Sequence, residues 1–184
     1  LLAAAFEEVG REVVVTRQPG GTALGTQIRG LVLHGDHMSP RAEALLFAAD
    51  KAQHVDEVIR PALARGAVVI TDRYTDSSIA YQGAGRDLGA DEVAQIQHWS
   101  VGGLFPDLTV LIDIDAAEGR RRREGTHDRL EAEADDYHEA VRSHFLALAG
   151  ADPSRYLVID GTLAPGDIHL RVHQACTVAG WLPL

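Results

Sequence analysis

An acid and a base stand together where an apolar run ends. The run at residues 67–71 is followed by Asp72 and Arg73. In an open α/β sheet, ligands bind beyond the carboxyl ends of the strands, so both side chains are expected at the reactive edge. A carboxylate there can hold a hydrated Mg²⁺ ion, and a guanidinium can bind two phosphate oxygens at once. The segment therefore predicts a phosphate site.

A second arginine follows another apolar run. Residues 13–16 lead into Arg17, and a loop with two glycines continues over residues 18–22. If both runs are strands of one sheet, Arg17 and Arg73 converge on the same edge. Two surface arginines in solvated ion pairs are the alternative. The matching position after a strand favours the phosphate-binding interpretation.

The elements that must position these residues alternate along the chain. Near-continuous apolar runs predict buried parallel strands at residues 13–16, 67–71, 108–114 and 156–160. Ser39 followed by Pro40 is typical of a helix start, and this helix is predicted to run through residue 54 and on to residue 65. Apolar residues at three- and four-residue spacing from Leu130 to Leu148 predict a long amphipathic helix that ends at Gly150. One domain of βα units is the expected organisation.

Composition limits the class of protein. The 184 residues are 46% hydrophobic and 24% charged, which is ordinary for a globular domain. A formal net charge of −10 argues against a nucleic-acid binder or a protein of anionic membranes. No run approaches the roughly 20 apolar residues of a membrane span. The single Cys176 fits a reducing compartment, so a cytoplasmic location is expected.

Together these segments resemble the thymidylate kinase family. Residues 16–22 match its Thr-Arg-Glu-Pro-Gly-Gly-Thr loop, with Gln18 in place of Glu, and residues 72–74 match its Asp-Arg-Tyr signature, with Ala-Tyr-Gln-Gly following at residues 80–83. The resemblance continues through residues 46–54, 105–109 and 128–131, so it covers most of the chain.

The resemblance implies an α/β fold and a function. The expected architecture is a P-loop nucleoside-monophosphate-kinase-like parallel sheet of five strands flanked by helices. Residues 1–184 form a single thymidylate-kinase-like domain with a lid at about residues 120–130. The implied reaction is phosphorylation of dTMP to dTDP with ATP and Mg²⁺, by in-line phosphoryl transfer in dTTP biosynthesis. The implied assembly is a homodimer.

The family's Gly-Lys-Ser/Thr phosphate loop does not occur in this sequence. We therefore interpret the chain as N-terminally incomplete, with the central N-terminal strand of the sheet missing, and expect residues 1–184 alone to be inactive. Two alternatives stay open at this point. The chain is another nucleoside-monophosphate or deoxynucleoside kinase, or it is a non-catalytic nucleotide-binding module that lacks a P-loop.

Site residues are carried over from the family by motif position. Arg73 is expected to bind the dTMP phosphate and Arg17 to position it, while Asp72 holds Mg²⁺ or, alternatively, caps the following turn. Phe47 is expected to stack on the thymine ring. Lys51 occupies a position where the family usually has an arginine that contacts the base or phosphate. The remaining substrate-binding candidates are polar side chains after Arg73, namely Ser77, Ser78, Tyr81 and Gln82.

The lid is expected at a run of arginines. In the family, arginines of this segment close over ATP and stabilise the transition state. Motif position favours Arg120 and Arg129 as catalytic residues, and Arg120, Arg122 and Arg123 as contacts to ATP. The alternative for any of them is a solvated helix face, which is the usual explanation of a charge run.

Overall fold

Short parallel strands organise the fold. The computed structural model describes residues 1–122 and 128–183. Its strands are Val13–Arg17 (β1), Val68–Asp72 (β2), Thr109–Asp113 (β3) and Tyr156–Asp160 (β4). β1 pairs in parallel with β2, so that Arg17 lies opposite Asp72, and β3 pairs in parallel with β4. The predicted strands and their parallel pairing are confirmed, with limits that differ by one residue or none.

Helices connect and cover the strands. In the described ranges they are Leu2–Glu8 (α1), Ala23–His34 (α2), Pro40–His54 (α3), Arg60–Ala64 (α4), Thr75–Ser78 (α5), Ala90–Ser100 (α6), Ala116–Arg122 (α7), Asp135–Ala151 (α8) and Pro165–Val178 (α9). A π-helical segment, Val55–Ile59, joins α3 to α4, and another, Ile79–Gly85, extends α5. None of the helices in these ranges is long and apolar enough to span a bilayer.

Side-chain caps fix the starts of the two helices nearest the Arg17 loop. The hydroxyl of Thr22 accepts a hydrogen bond from the Gly25 amide at 2.9 Å, so α2 begins immediately after the loop. Ser39 caps α3 in the same way, with Pro40 at the first helical position as predicted. The two caps therefore fix where α2 and α3 begin.

The long amphipathic helix starts later than the sequence pattern predicts. α8 begins at Asp135, whereas Leu130 belongs to a turn. The carboxylate of Asp128 accepts hydrogen bonds from the amides of Leu130 and Glu131, both at 2.9 Å. An aspartate that binds the amides two and three residues on favours a turn over a helix interior. Leu130 is buried nonetheless, which explains why it fits the apolar period of the helix.

The strands β2 and β3 share a core without being hydrogen-bonded to each other. Among the described residues the strands form two separate two-stranded sheets. Side chains of both strands, Val68, Ile70 and Val110, pack against the cluster around Phe6 and Ile159. Yet no residue of β2 or β3 is fully buried, although parallel strands are normally covered on both faces.

Candidate functional site

A cavity of about 350 Å³ opens beyond the carboxyl ends of β1 and β2. Arg17 and Asp72 end the two strands in register, and both side chains line the cavity with Arg73. α3 and the segment after β2 contribute the other walls. This is the place where ligands bind in open α/β sheets. The structure thus brings the three strand-end residues together as predicted.

Arg73 has an unusual backbone. Its φ is +69°, which is the left-handed region that residues with a side chain rarely adopt. Its guanidinium lies over the ring of Tyr81, 5.0 Å from the ring centroid. Holding a non-glycine residue in this conformation costs on the order of 1 kcal/mol, and such residues cluster at functional sites. The turn after β2 therefore aims a cation into the cavity at some cost in stability.

Phe47 and Lys51 form one wall, since they are four residues apart on α3. Phe47 is buried and packs with Ile28, Leu33 and Leu130. The Lys51 ammonium donates to the hydroxyl of Ser78 at 2.8 Å and to the carbonyl of Phe47 at 3.3 Å. It also lies 5.4 Å from the centroid of the Phe47 ring.

Burial changes the proton affinity of Lys51. The side chain is only 2% exposed, and this burial lowers its pKa from 10.5 to about 8, against the opposing attraction of Asp50. Lys51 is also the only lysine in the sequence. At neutral pH it remains mostly charged, so the cavity floor carries a cation poorly shielded by water.

The polar residues predicted after Arg73 all line the cavity. Ser77 and Tyr81 are partly exposed there, whereas Ser78 and Gln82 are buried. The Ser78 hydroxyl is engaged by Lys51, and the Gln82 amide nitrogen donates to a carboxylate oxygen of Glu43 at 2.9 Å. The four side chains are therefore assembled in one place but differ in what they can offer a ligand.

Glu43, a buried glutamate of α3, supports the cavity through its contact with Gln82. It was not predicted from the sequence. Glu43 is fully buried on α3. Besides Gln82, it receives the guanidinium of Arg86 through two contacts of 3.3 Å and that of Arg129 at 2.5 Å. Arg86 also pairs with Glu133 at 2.5 Å. No motif signals Glu43 in the sequence, because its partners lie 39 to 86 residues away.

A second buried network supports the loop that carries Arg17. His54 is fully buried, with its ring nitrogens 2.7 Å from the hydroxyl of Thr16 and 2.7 Å from the amide nitrogen of Gln18. The Asp50 carboxylate accepts from the Gly20 amide at 3.0 Å. Burial lowers the pKa of His54 and raises that of Asp50. Neither residue was among the predicted site residues.

Other cavity-lining residues were missed as well. They include Gln18, Pro19, Arg29, Leu33, Tyr74, Asp128, Leu130, Glu131 and His138. Three of them belong to residues 128–131, a segment that resembles the family motif, but only Arg129 had been assigned a role there. His138 carries no signal in the sequence, since it is one histidine among nine.

The predicted lid arginines are held by other groups. Arg120 forms an ion pair with Asp135, and Arg122 donates to the carbonyl of Gly161 at 2.7 Å. Neither is part of the described cavity lining. Arg129 donates to the Val32 carbonyl at 2.9 Å in addition to its contact with the buried carboxylate on α3. Arg123 lies outside the described residues. A role of these arginines on ATP stays a prediction.

The donor set at the strand ends fits one kind of metal. In residues 1–122 and 128–183, no three His, Cys, Asp or Glu side chains lie together as a metal cluster would require. Asp72 offers a single exposed carboxylate at the cavity edge. Mg²⁺ is usually held by one or two carboxylates, with water and substrate phosphates completing its shell. Asp72 therefore suits Mg²⁺ delivered with a nucleotide and not a closed structural site.

The arrangement suits a small anion with a flat apolar part. Arg17, Arg73 and Lys51 supply positive charge in an acidic protein, and Phe47 supplies an aromatic surface beside them. Guanidinium groups bind phosphate oxygens in pairs, and aromatic faces accept flat rings. A cavity of about 350 Å³ is in the range of small-molecule sites. A nucleoside monophosphate matches both features.

Comparisons with known proteins agree with this chemistry. The model of the family described as thymidylate kinase matches residues 1–172. The thymidylate kinase of Clavibacter michiganensis subsp. michiganensis is 54% identical over 187 residues, covering 98% of this chain and 89% of that protein. The thymidylate kinase of Bifidobacterium longum (strain NCC 2705) is 54% identical over 166 residues, covering 88% of this chain and 81% of that protein. The crystal structure of thymidylate kinase from Ehrlichia chaffeensis is similar with a TM-score of 0.76 and 30% identity, over 95% of this chain and 86% of that one.

Proposed function

Because the chain belongs to the thymidylate kinase family, we propose that it phosphorylates dTMP to dTDP with ATP and Mg²⁺ and that the cavity beyond β1 and β2 is the dTMP site. The observation that carries the proposal is the meeting of Arg17, Arg73 and Lys51 with the Phe47 ring in one cavity. In this arrangement the thymine ring lies against Phe47, and the 5′-phosphate is bound by the cations at the strand ends.

Charge neutralisation is the main task of these residues. In the reaction an oxygen of the dTMP phosphate forms a bond to the γ-phosphorus of ATP, and the bond from that phosphorus to the β,γ-bridging oxygen breaks. Such transfer depends mostly on holding two polyanions in line and offsetting their repulsion. Arg73 fixes the acceptor phosphate, Lys51 contacts the base or the phosphate from α3, and Arg17 lies at the end of β1.

Asp72 is the residue that holds Mg²⁺ in this proposal. The ion supplies positive charge to the transferred phosphoryl group when it is bound with the nucleotide. Its proposed ligand, Asp72, is the last residue of β2 and precedes Arg73 directly, so the carboxylate and the phosphate-binding arginine keep a fixed relation through the strand end. Arg120, Arg122, Arg123 and Arg129 are retained as lid residues toward ATP, which the family resemblance supports.

The proposal includes one further parallel strand between β2 and β3. The family resemblance implies a central strand at this place. Two structural features support it: β2 and β3 belong to separate sheets in the described part of the chain, and none of their residues is fully buried although they face a common core. A strand between them would satisfy their facing backbone groups and cover their side chains.

A homodimer and a cytoplasmic location are part of the proposal and follow the family resemblance. Exposed leucines on two neighbouring helices support the dimer. Leu24 and Leu31 lie seven residues apart on one face of α2, and Leu45 lies on α3, which packs against α2. All three side chains are more than two-fifths exposed. A second copy of the chain covering this face would remove that apolar surface from water.

The test is dTDP formation from ATP and dTMP by the full-length protein and by its Arg73→Ala variant. Loss of a charge-assisted phosphate contact is expected to lower kcat/KM by about 100-fold or more. The matched control is Arg41→Ala, which removes an exposed arginine of α3 outside the cavity lining and should keep the activity. Equal turnover by the two variants would remove the cavity from the mechanism.

A further inference from the structure

Glu43 connects the cavity wall formed by Phe47 and Lys51 to a buried cluster of charged residues. It lies four residues before Phe47 and eight before Lys51, so the three side chains share one face of α3. Its carboxylate is fully buried and accepts hydrogen bonds from Gln82 and from two arginines. Of these three partners, Gln82 alone also lines the cavity. Glu43 can therefore affect a ligand through Gln82.

Two arginines lie against the buried Glu43 carboxylate. Arg86 and Arg129 both contact its oxygens, and Glu133 neutralises part of the positive charge through Arg86. The two guanidinium groups offset the charge of this buried carboxylate. An ionised carboxylate has only acceptor sites. Any group that hydrogen-bonds to it must donate.

Because the Glu43 carboxylate only accepts hydrogen bonds, it fixes which end of the Gln82 amide faces the ligand. The amide nitrogen donates to Glu43 at 2.9 Å. A flipped amide would place its carbonyl oxygen against a carboxylate oxygen, and two acceptors repel each other. The carbonyl oxygen of Gln82 has no hydrogen-bond partner among the described residues, and its side chain lines the cavity. Gln82 is thus restricted to offering an acceptor.

We propose that Glu43 is a positioning residue for base selectivity, because it holds Gln82 as a hydrogen-bond acceptor and so favours pyrimidines that carry a hydrogen on ring nitrogen N3. Thymine and uracil have this N3–H donor, whereas N3 of cytosine is an acceptor. Glu43 itself does not touch the ligand. The inference rests on the proposed function, since it takes the Phe47 wall as the place of the base.

The test compares the affinities of dTMP and dCMP, measured by calorimetry, for the wild-type protein and the Glu43→Gln variant. Wild type should bind dTMP at least about tenfold more tightly than dCMP, because a mismatched polar pair is left in a buried site. The introduced glutamine side chain can donate as well as accept, so the amide of Gln82 is free to turn. The dTMP to dCMP affinity ratio should then fall at least about threefold, partly through tighter dCMP binding.

A matched control separates selectivity from stability. Arg86→Lys weakens the same buried cluster but leaves the Glu43 carboxylate facing Gln82. It should lower the melting temperature, as Glu43→Gln does, yet keep the wild-type affinity ratio. A ratio that moves equally in both variants would overturn the positioning role, since loss of packing would then explain it.

A measurement on wild type keeps the inference testable if Glu43→Gln does not fold. In a spectrum of protein labelled with ¹⁵N-glutamine, the side-chain NH₂ signals of Gln82 should be protected from exchange and should keep their hydrogen-bonded shift when dTMP is added. Loss of that protection on binding would show that the amide nitrogen turns to the ligand, which overturns the inference. If wild type binds no dTMP at all, the proposed function fails instead.

Discussion

The buried ammonium of Lys51 makes the stability of the protein depend on alkaline pH in a defined direction. Burial lowers its pKa from 10.5 to about 8. One pKa unit corresponds to about 1.4 kcal/mol, so charging Lys51 in the folded state costs about 3 kcal/mol more than charging it in the unfolded chain. Below pH 8 the folded protein bears this whole cost. Between about pH 8 and 10.5 the unfolded chain binds more protons, so the Lys51 contribution to stability rises with pH.

Replacing Lys51 by methionine removes the charge and keeps a similar volume. It also removes the donor to Ser78, whose buried hydroxyl then loses a partner at a cost of about 1 to 2 kcal/mol. The variant should therefore be more stable than wild type by about 1 to 2 kcal/mol at pH 7. Near pH 10.5 the wild-type lysine is neutral in the fold, and the order should reverse.

Urea unfolding at pH 7, 8.5 and 10 measures this difference, and effects of other titrating groups cancel between variants. Lys51→Arg is the control, since arginine keeps its charge across this range and its stability relative to Lys51→Met should not change with pH. In protein labelled with ¹⁵N-lysine, the side-chain signal that disappears in Lys51→Met belongs to Lys51, and its titration yields the pKa directly. A pKa near 10.5, or a difference in stability that is constant with pH, would refute the reasoning.

Two further substitutions test the packing around the site. Gly25→Ala would place a Cβ inside van der Waals contact with an oxygen of Asp50, which should lower the stability by about 2 kcal/mol in a thermal or urea melt. Gly30→Ala is the control, because Gly30 is exposed on the same helix with nothing within 4 Å of an added Cβ, and it should be neutral or stabilising. Equal effects of the two substitutions would contradict the crowding. Arg155→Met leaves the buried Asp76 without the guanidinium that contacts it at 2.9 and 3.3 Å, at a cost of about 3 kcal/mol by urea unfolding. Adding Asp76→Asn should restore much of that loss, and no recovery would show that the charge is not the cause.

Local sequence signals were sufficient for the framework of the site. Apolar runs predicted the strands, and the residues that follow them, Arg17 and Arg73, lie together because parallel strands end at one edge. Phe47 and Lys51 stand four residues apart in the helix predicted from Ser39 onward, so they share a helix face, and both line the cavity. These features depend on neighbours within a few residues along the chain.

The supporting shell of the site could not be predicted in this way. Glu43 joins Gln82, Arg86 and Arg129 across 39, 43 and 86 residues, and no spacing rule connects positions so far apart. His54 is a similar case, because it supports the Arg17 loop from the far end of α3. Such contacts exist only once the helices have packed.

A crystal structure of the protein with dTMP tests the central claim most directly. It should show the thymine ring against Phe47 and the 5′-phosphate within hydrogen-bond distance of Arg73, in the cavity beyond β1 and β2. Density for dTMP elsewhere on the protein, or a dTMP phosphate turned away from Arg73, would contradict the claim that this cavity is the nucleotide site.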